Sequence, residues 1–496
     1  MVDFSGQRPT TGFHAPTRFE ADIYDCEVVG QIPTDLNGGF FRLHLDAFYP
    51  SKYADDAILA YDGYVTSFRF SKGVVDYKGR YVRTQRFMKQ LEARKQLYGY
   101  YRNPYTDDPS VSDPANPHLR TTANTTPVVH HGKLFATKED GLPHVMDHNT
   151  LKTVGPTDFG GTWNSQTFTA HPKIDPVSGE MVAIGYEASG LASKDVLMGT
   201  FDKTGKLTQE VRFDVPYVSM LHDMCVTQKH VVIPGGGAIA DIETLKAGKS
   251  HWGWDASLPS YYGIIPRDGE AKDMRWFKGP ERALVHTVNA VTEGDKVIME
   301  APVVEGNPWP WFHDIHGAPF KPLDYTIRRF TFDLNSKDDG YTEEILFKTP
   351  VTSFTRIDDR FMTLPYRYTY VQYSDPERPF DAALAGPFGG RTANSYGRFD
   401  IRTGETLSYC AGQSHAVQEP TFVPRPGSSE EGDGWILGIA HNHVERRSEL
   451  IILDAQRMEE VARVVLPFRC SGQVHGVWAG EGDLAFDDPT QLALAN

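Results

Sequence analysis

Short runs of β-branched, aromatic and aliphatic residues, separated by tight-turn signals, recur along almost the whole chain, and this pattern constrains the fold most. Residues 64–71 (Tyr-Val-Thr-Ser-Phe-Arg-Phe-Ser) precede Lys72-Gly73, followed by 74–77, Lys78-Gly79 and 81–84. Such spacing predicts a meander of antiparallel strands with turns at 72–73 and 78–79. Similar runs lie at 133–137, 181–186, 230–233, 296–300, 327–333 and 450–454, and turn sequences at 202–205, 293–295 and 402–404 fall between them. Helical periodicity is confined to two places. One is 87–98, with Met88, Leu91 and Leu97 on one face and Glu92, Arg94 and Lys95 off it. The other is 242–246, with Asp241 as its N-cap. The expected class is all-β, either a large sandwich or a propeller.

At 496 residues the chain could hold several ordinary domains. It contains no Gly/Ser tract, Pro-rich spacer or run of like charge, so a single domain over 1–496 is expected. The net charge of -15 argues against a nucleic-acid surface, which needs clustered Lys and Arg. No apolar run reaches the roughly 20 residues that span a bilayer, and the N-terminus has no secretory pattern, so no stable membrane insertion is expected. Four scattered cysteines, Cys26, Cys225, Cys410 and Cys470, fit a reducing cytoplasm and read as small buried apolar residues.

Four histidines stand in distinctive settings: His171 in Thr-Ala-His-Pro-Lys-Ile-Asp-Pro, His222 in Met-Leu-His-Asp-Met, His286 in Val-His-Thr-Val-Asn-Ala and His475 in Gln-Val-His-Gly-Val-Trp. None is close to another, so no local zinc motif exists. If they converge, they form an all-imidazole site for a redox-active divalent metal. Rival groupings are weaker. His441 and His443 could share a strand face but lack an acidic or thiol partner and read as surface residues. His313 and His316 follow Trp309-Pro-Trp311 and read as part of a pocket wall. The glycines at 235–237 lack the Lys-Ser or Lys-Thr of a phosphate cradle and read as a turn. There is no Gly-x-Ser-x-Gly elbow to support a serine hydrolase.

These histidine settings, together with 137–147 (Thr-Lys-Glu-Asp-Gly-Leu-Pro-His-Val-Met-Asp), 418–425 (Gln-Glu-Pro-Thr-Phe-Val-Pro-Arg) and 431–435 (Glu-Gly-Asp-Gly-Trp), resemble the carotenoid cleavage oxygenase superfamily. Residues 98–111 and 314–320 resemble its bacterial lignostilbene dioxygenase branch, and the resemblance runs from about Pro16 to Trp478. It implies a seven-bladed β-propeller with a cap of loops and short helices over a metal site. It also implies Fe2+ held on the axis by His171, His222, His286 and His475, with Thr125 beside an open position. The metal-bound imidazoles would be anchored by Glu139 (for His222) and Glu419 (for His475). Ser353, in Ser-Phe-Thr-Arg, stands where the family carries the glutamate that supports the third histidine, His286. A serine can accept a hydrogen bond but brings no charge.

The resemblance further implies that Tyr101 and Lys138 bind the substrate's 4-hydroxyl. Leu59 replaces an aromatic pocket residue in the altered word Leu-Ala-Tyr-Asp-Gly, and Trp309 and Trp311 are candidates to supply aromatic surface instead. The implied activity is cleavage by O2 of the central double bond of a small aromatic substrate, a 4-hydroxystilbene, to two aromatic aldehydes, a reaction of lignin catabolism. Alternatives left open are an isoeugenol-type alkenylphenol, an apocarotenoid, or a catalytically impaired propeller. A homodimer is compatible with the sequence.

Overall fold

A computed structural model describes residues 2–7, 15–381 and 393–487. Among them the regular structure is almost entirely antiparallel sheet, with two α-helices, Gln85–Ala93 and Ile242–Lys246, and a few 3-10 turns. The sheet of Lys173–Ile174, Met181–Tyr186, Asp195–Phe201 and Leu207–Asp214 shows the plan, four successive strands paired in order. Its second strand is buried throughout, while the last alternates buried and exposed residues. The inner strands are therefore covered on both faces, and the outermost meets solvent on one.

Alternation along each strand builds the ring. Met181 and Ala183 pack against Val128 and Phe135 of the preceding sheet, whereas Val182 and Ile184 pack against Val231 and Ile233 of the following one. Seven interior clusters each join one group of strands to the next in this way, and the last, with Trp435 and Leu437 against Phe40 and Phe68, returns to the first. One sheet holds eight strands because the 15-residue strand Thr342–Arg356 pairs with Tyr325–Asp333 through its first part and with Tyr368–Tyr373 through its last. Divided there, it supplies two units of the ring. The result is a β-propeller, as the resemblance implied and the composition left undecided.

The two ends of the chain close the ring. Gly38–Asp46 pairs with Gln473–Gly480, and Glu27–Gly30 pairs with Glu459–Val465. No helix among the described residues is long and apolar enough to cross a membrane.

Several local expectations change. The turn at Lys72-Gly73 forms, with both residues at positive φ as a type I′ hairpin requires. The one at Lys78-Gly79 does not, because Val74–Tyr81 is continuous. A Cβ on Gly79 would come within 2.3 Å of the Tyr64 hydroxyl oxygen, so this glycine makes room for a tyrosine. The first helix runs over 85–93 instead of 87–98: the Thr84 hydroxyl caps its start and Arg94, in the left-handed region, ends it. Its buried face is Arg86, Phe87 and Gln90, not Met88, because Arg86 and Gln90 donate to the Ala60 carbonyl and to Asp62. The helix Ile242–Lys246 forms with Asp241 as N-cap. His441 and His443 are buried, contrary to the surface reading, and His441 is satisfied by Ser448 at 2.8 Å. Cys26, Cys225 and Cys470 are buried free thiols, and Cys410 is half-buried.

Candidate metal centre and its surroundings

His171, His222, His286 and His475 come from the edge strands, or the residues beside them, of four different sheets. His171 stands two residues before Lys173–Ile174, His222 stands before Cys225–Val226, and His286 lies between Ala283–Leu284 and Asn289–Glu293. His475 is on Gln473–Gly480. Ring closure brings all four to one point. Their Nε2 atoms are 3.1 Å apart for His171 and His222, 3.2 Å for His222 and His286, and 3.2 Å for His286 and His475. All four histidines are buried.

This donor set fits one metal ion. Imidazole nitrogens about 2.0–2.1 Å from a shared ion, at roughly right angles, lie about 3 Å apart. Burial first, and the charge of the neighbouring imidazoles next, hold His171 and His286 well below the ordinary histidine range, so they stay neutral. Burial and His222 do the same for His475. Ring nitrogens turned toward one point this closely repel through their lone pairs, and a cation removes that conflict.

The far ring nitrogens are anchored. His222 Nδ1 is 3.2 Å from Glu139 Oε1, and His475 Nδ1 is 2.8 Å from Glu419 Oε1. Glu419 Oε2 accepts the Gly476 amide at 2.8 Å. His286 Nδ1 donates to the Ser353 main-chain carbonyl at 3.1 Å. The sequence suggested the Ser353 side chain for this task. The backbone performs it, and the hydroxyl lies toward Tyr325. Each of these bonds fixes which nitrogen of its ring is left to face the centre.

Tyr101 and Lys138 lie on the Glu139 side of the cluster. Tyr101 donates its hydroxyl proton to Glu139 Oε1 at 3.2 Å, and Lys138 Nζ stands 4.8 Å from the Tyr101 ring centroid. Both residues are buried. Lys138 also reaches Thr125 Oγ1 at 3.5 Å, and Thr125 donates to Asn124 Oδ1 at 3.0 Å. Burial pushes Glu139 toward its neutral form, but Lys138 and His222 outweigh it and hold the carboxyl below the usual range. Leu59, Tyr101, Trp309 and Trp311 share one apolar cluster, and the Trp309 ring is 6.3 Å from that of His222. Trp309 lines a small cavity beside His222, whereas His313 and His316, read as part of a pocket wall, are exposed. Gly235, Gly236 and Gly237 line a small cavity with His222 and Trp309 and do not serve only as a turn. A Cβ on Gly235 would meet the Tyr261 ring at 2.2 Å.

Sequence reading missed a buried network beneath Tyr101. Arg102 pairs with Glu187, which also accepts from His251 Nε2 at 3.0 Å, and Arg102 donates to the Glu139 carbonyl at 3.2 Å. Its one sequence signal is a charged residue inside the aromatic stretch 98–105.

Comparison with known proteins agrees with this geometry. The family profile described as "Retinal pigment epithelial membrane protein" matches residues 14–480. The chain is 39% identical over 491 residues to lignostilbene-alpha,beta-dioxygenase isozyme III of Sphingomonas paucimobilis, covering 98% of this chain and 99% of that one. It is 38% identical over 487 residues to an isoeugenol monooxygenase of Pseudomonas putida, covering 96% and 99%. The crystal structure of the Pseudomonas brassicacearum lignostilbene dioxygenase superposes with a TM-score of 0.92 at 37% identity, over 97% of this chain and all of that one. With a closed propeller, four histidines at its centre and full-length likeness of this kind, the chain belongs to the retinal pigment epithelial membrane protein family and is a carotenoid cleavage oxygenase-like enzyme.

Proposed function

We propose that this enzyme is a non-haem Fe(II) dioxygenase that cleaves the central double bond of a 4-hydroxystilbene with O2, giving two aromatic aldehydes. The observation that carries the reading is the placement of Lys138 and Tyr101 against Glu139, one hydrogen bond from His222. His171, His222, His286 and His475 would hold the ion, and imidazole donors suit iron. Bound iron supplies the activation of dioxygen. Thr125, close to Lys138, is the residue we assign beside the oxygen-binding position.

The remaining work falls to the chain. Tyr101 has committed its own proton to Glu139, which leaves its oxygen as an acceptor for the substrate's phenol proton. Lys138 Nζ, buried beside Tyr101, donates to the phenol oxygen and stabilises the phenolate while its proton passes to the Tyr101 oxygen and the Tyr101 proton to Glu139; the reverse transfers restore the phenol in the product aldehyde. Electron density released at the phenolate flows through the conjugated system to the alkene carbon that reacts. Leu59, Trp309 and Trp311 give the rings an apolar wall that excludes water and fixes their orientation. In the balanced reaction one alkene and one O2 yield two aldehydes.

The smaller Leu59 in place of an aromatic ring favours a second substrate class, an isoeugenol-like alkenylphenol, which needs no second ring wall. The test is an iron-reconstituted protein assayed for aldehydes on 4-hydroxystilbenes, their 4-methoxy analogues, isoeugenol and an apocarotenal. Cleavage of hydroxylated but not methoxylated stilbenes is expected. Equal turnover of both, or of the apocarotenal alone, overturns the phenolate reading. The buried free cysteines support a reducing compartment such as the cytoplasm.

A further inference from the structure

Asp223 is a buried carboxylate that the proposed reaction does not use. It directly follows His222. Its Oδ2 accepts from the Thr287 amide at 2.8 Å and the Thr287 hydroxyl at 2.9 Å, and Thr287 directly follows His286. Its Oδ1 accepts from the Met224 amide at 2.7 Å and pairs with Lys173 Nζ at 2.7 Å, two residues beyond His171. One side chain, 3% exposed, thus ties together the three segments that carry His171, His222 and His286. The fourth segment is tied separately, through Glu419 and Gly476.

We propose that Asp223 is a positioning residue that sets the spacing of three of the four histidines, acting through Lys173 and Thr287 and not by touching the ion. The inference rests on the metal-centre reading above. Three features favour this role over simple packing. Every bond Asp223 makes is to the chain within two residues of a cluster histidine or to its own next amide. Lys173 is on one sheet, Thr287 stands between two strands of another and Asp223 beside a third, so no strand pairing already fixes the separation of these segments. The carboxylate and Lys173 line a cavity of about 280 Å³ that also touches His171, His286 and His475, so packed side chains do not fill the space behind the cluster. With room to relax there, the rings depend on directed bonds to hold their spacing.

The experiment measures Co2+ affinity of the purified protein by chelator competition, with the cobalt absorption spectrum and the melting temperature of the metal-free protein read alongside. The variants are Asp223→Asn, and Asp223→Asn combined with Lys173→Met, which removes the stranded cation. The single variant is expected to lose about 10–100-fold in affinity, the range for loss of a residue supporting metal ligands. The double variant is expected to regain the melting temperature of the metal-free wild type while keeping the weakened affinity and an altered cobalt spectrum. Recovery of wild-type affinity and spectrum in the double variant would make Asp223 only the counter-ion of Lys173 and overturn the proposal, as would unchanged affinity in the single one. Failure of the wild type to bind Co2+ would instead overturn the metal-centre reading, which keeps the two outcomes apart.

Discussion

Tyr101 donates its hydroxyl proton to Glu139 Oε1 across 3.2 Å. That same oxygen accepts from His222, so the proposed phenol-binding end of the pocket and the histidine cluster share one acceptor. A change in charge at Tyr101 is therefore felt at His222 through a single atom, in a buried setting where hydrogen bonds polarise one another.

Replacing Glu139 with Gln keeps the size of the side chain but removes its charge. Metal affinity should fall about 10–100-fold, as is usual when the partner of a ligating histidine is altered. Chelator competition on the purified variant checks this, and unchanged affinity would mean that the carboxylate does not support His222.

Lys138→Met removes the buried cation and keeps most of the stem. Turnover of 4-hydroxystilbenes should drop by at least about 100-fold, the scale of one lost charge-stabilising donor in a dry site. Metal content should match the wild type. Parallel metal analysis and aldehyde assays test both halves, and undiminished rates would remove the role given to Lys138.

Ser353→Ala should leave metal affinity within about twofold of the wild type. The group that anchors His286 is the main-chain carbonyl, which this substitution retains. A loss approaching that of Glu139→Gln would show that the hydroxyl matters to the cluster after all.

Asp56 accepts the Tyr101 amide at 2.8 Å, and burial raises its carboxyl to about 7. An unfolded aspartate titrates near 3.9, so between roughly pH 4 and 7 the folded state holds a proton that the unfolded state has released. Stability from this group is thus present below about pH 4 and lost as pH rises to 7. Asp56→Asn lacks this dependence. The melting temperature of the wild type minus that of the variant should be more positive at pH 5 than at pH 8; the same difference at both would rule out a raised carboxyl.

Strands were readable because a half-buried β-strand writes its burial into the sequence with a period of two. Individual glycines were less readable, since Gly79 serves the Tyr64 ring within a strand while Gly73 serves a turn. The helix face was misjudged because Arg86 and Gln90 are buried by hydrogen bonds, which hydrophobic periodicity does not register. Local spacing could not show that His171, His222, His286 and His475 meet, because their meeting depends on the ring closing. The resemblance supplied what spacing lacked. It gave no hint of Asp223, whose bonds reach from its own segment to those of His171 and His286, nor of the main-chain oxygen that does the work expected of the Ser353 side chain.

His475 lies on the same strand that zips against Gly38–Asp46 to shut the circle. The fourth imidazole can reach the other three only after Gln473–Gly480 has docked on Gly38–Asp46. Four-histidine capture of a metal would therefore follow ring closure and not precede it. A chain that stops before His475 would offer three imidazoles where the closed ring offers four.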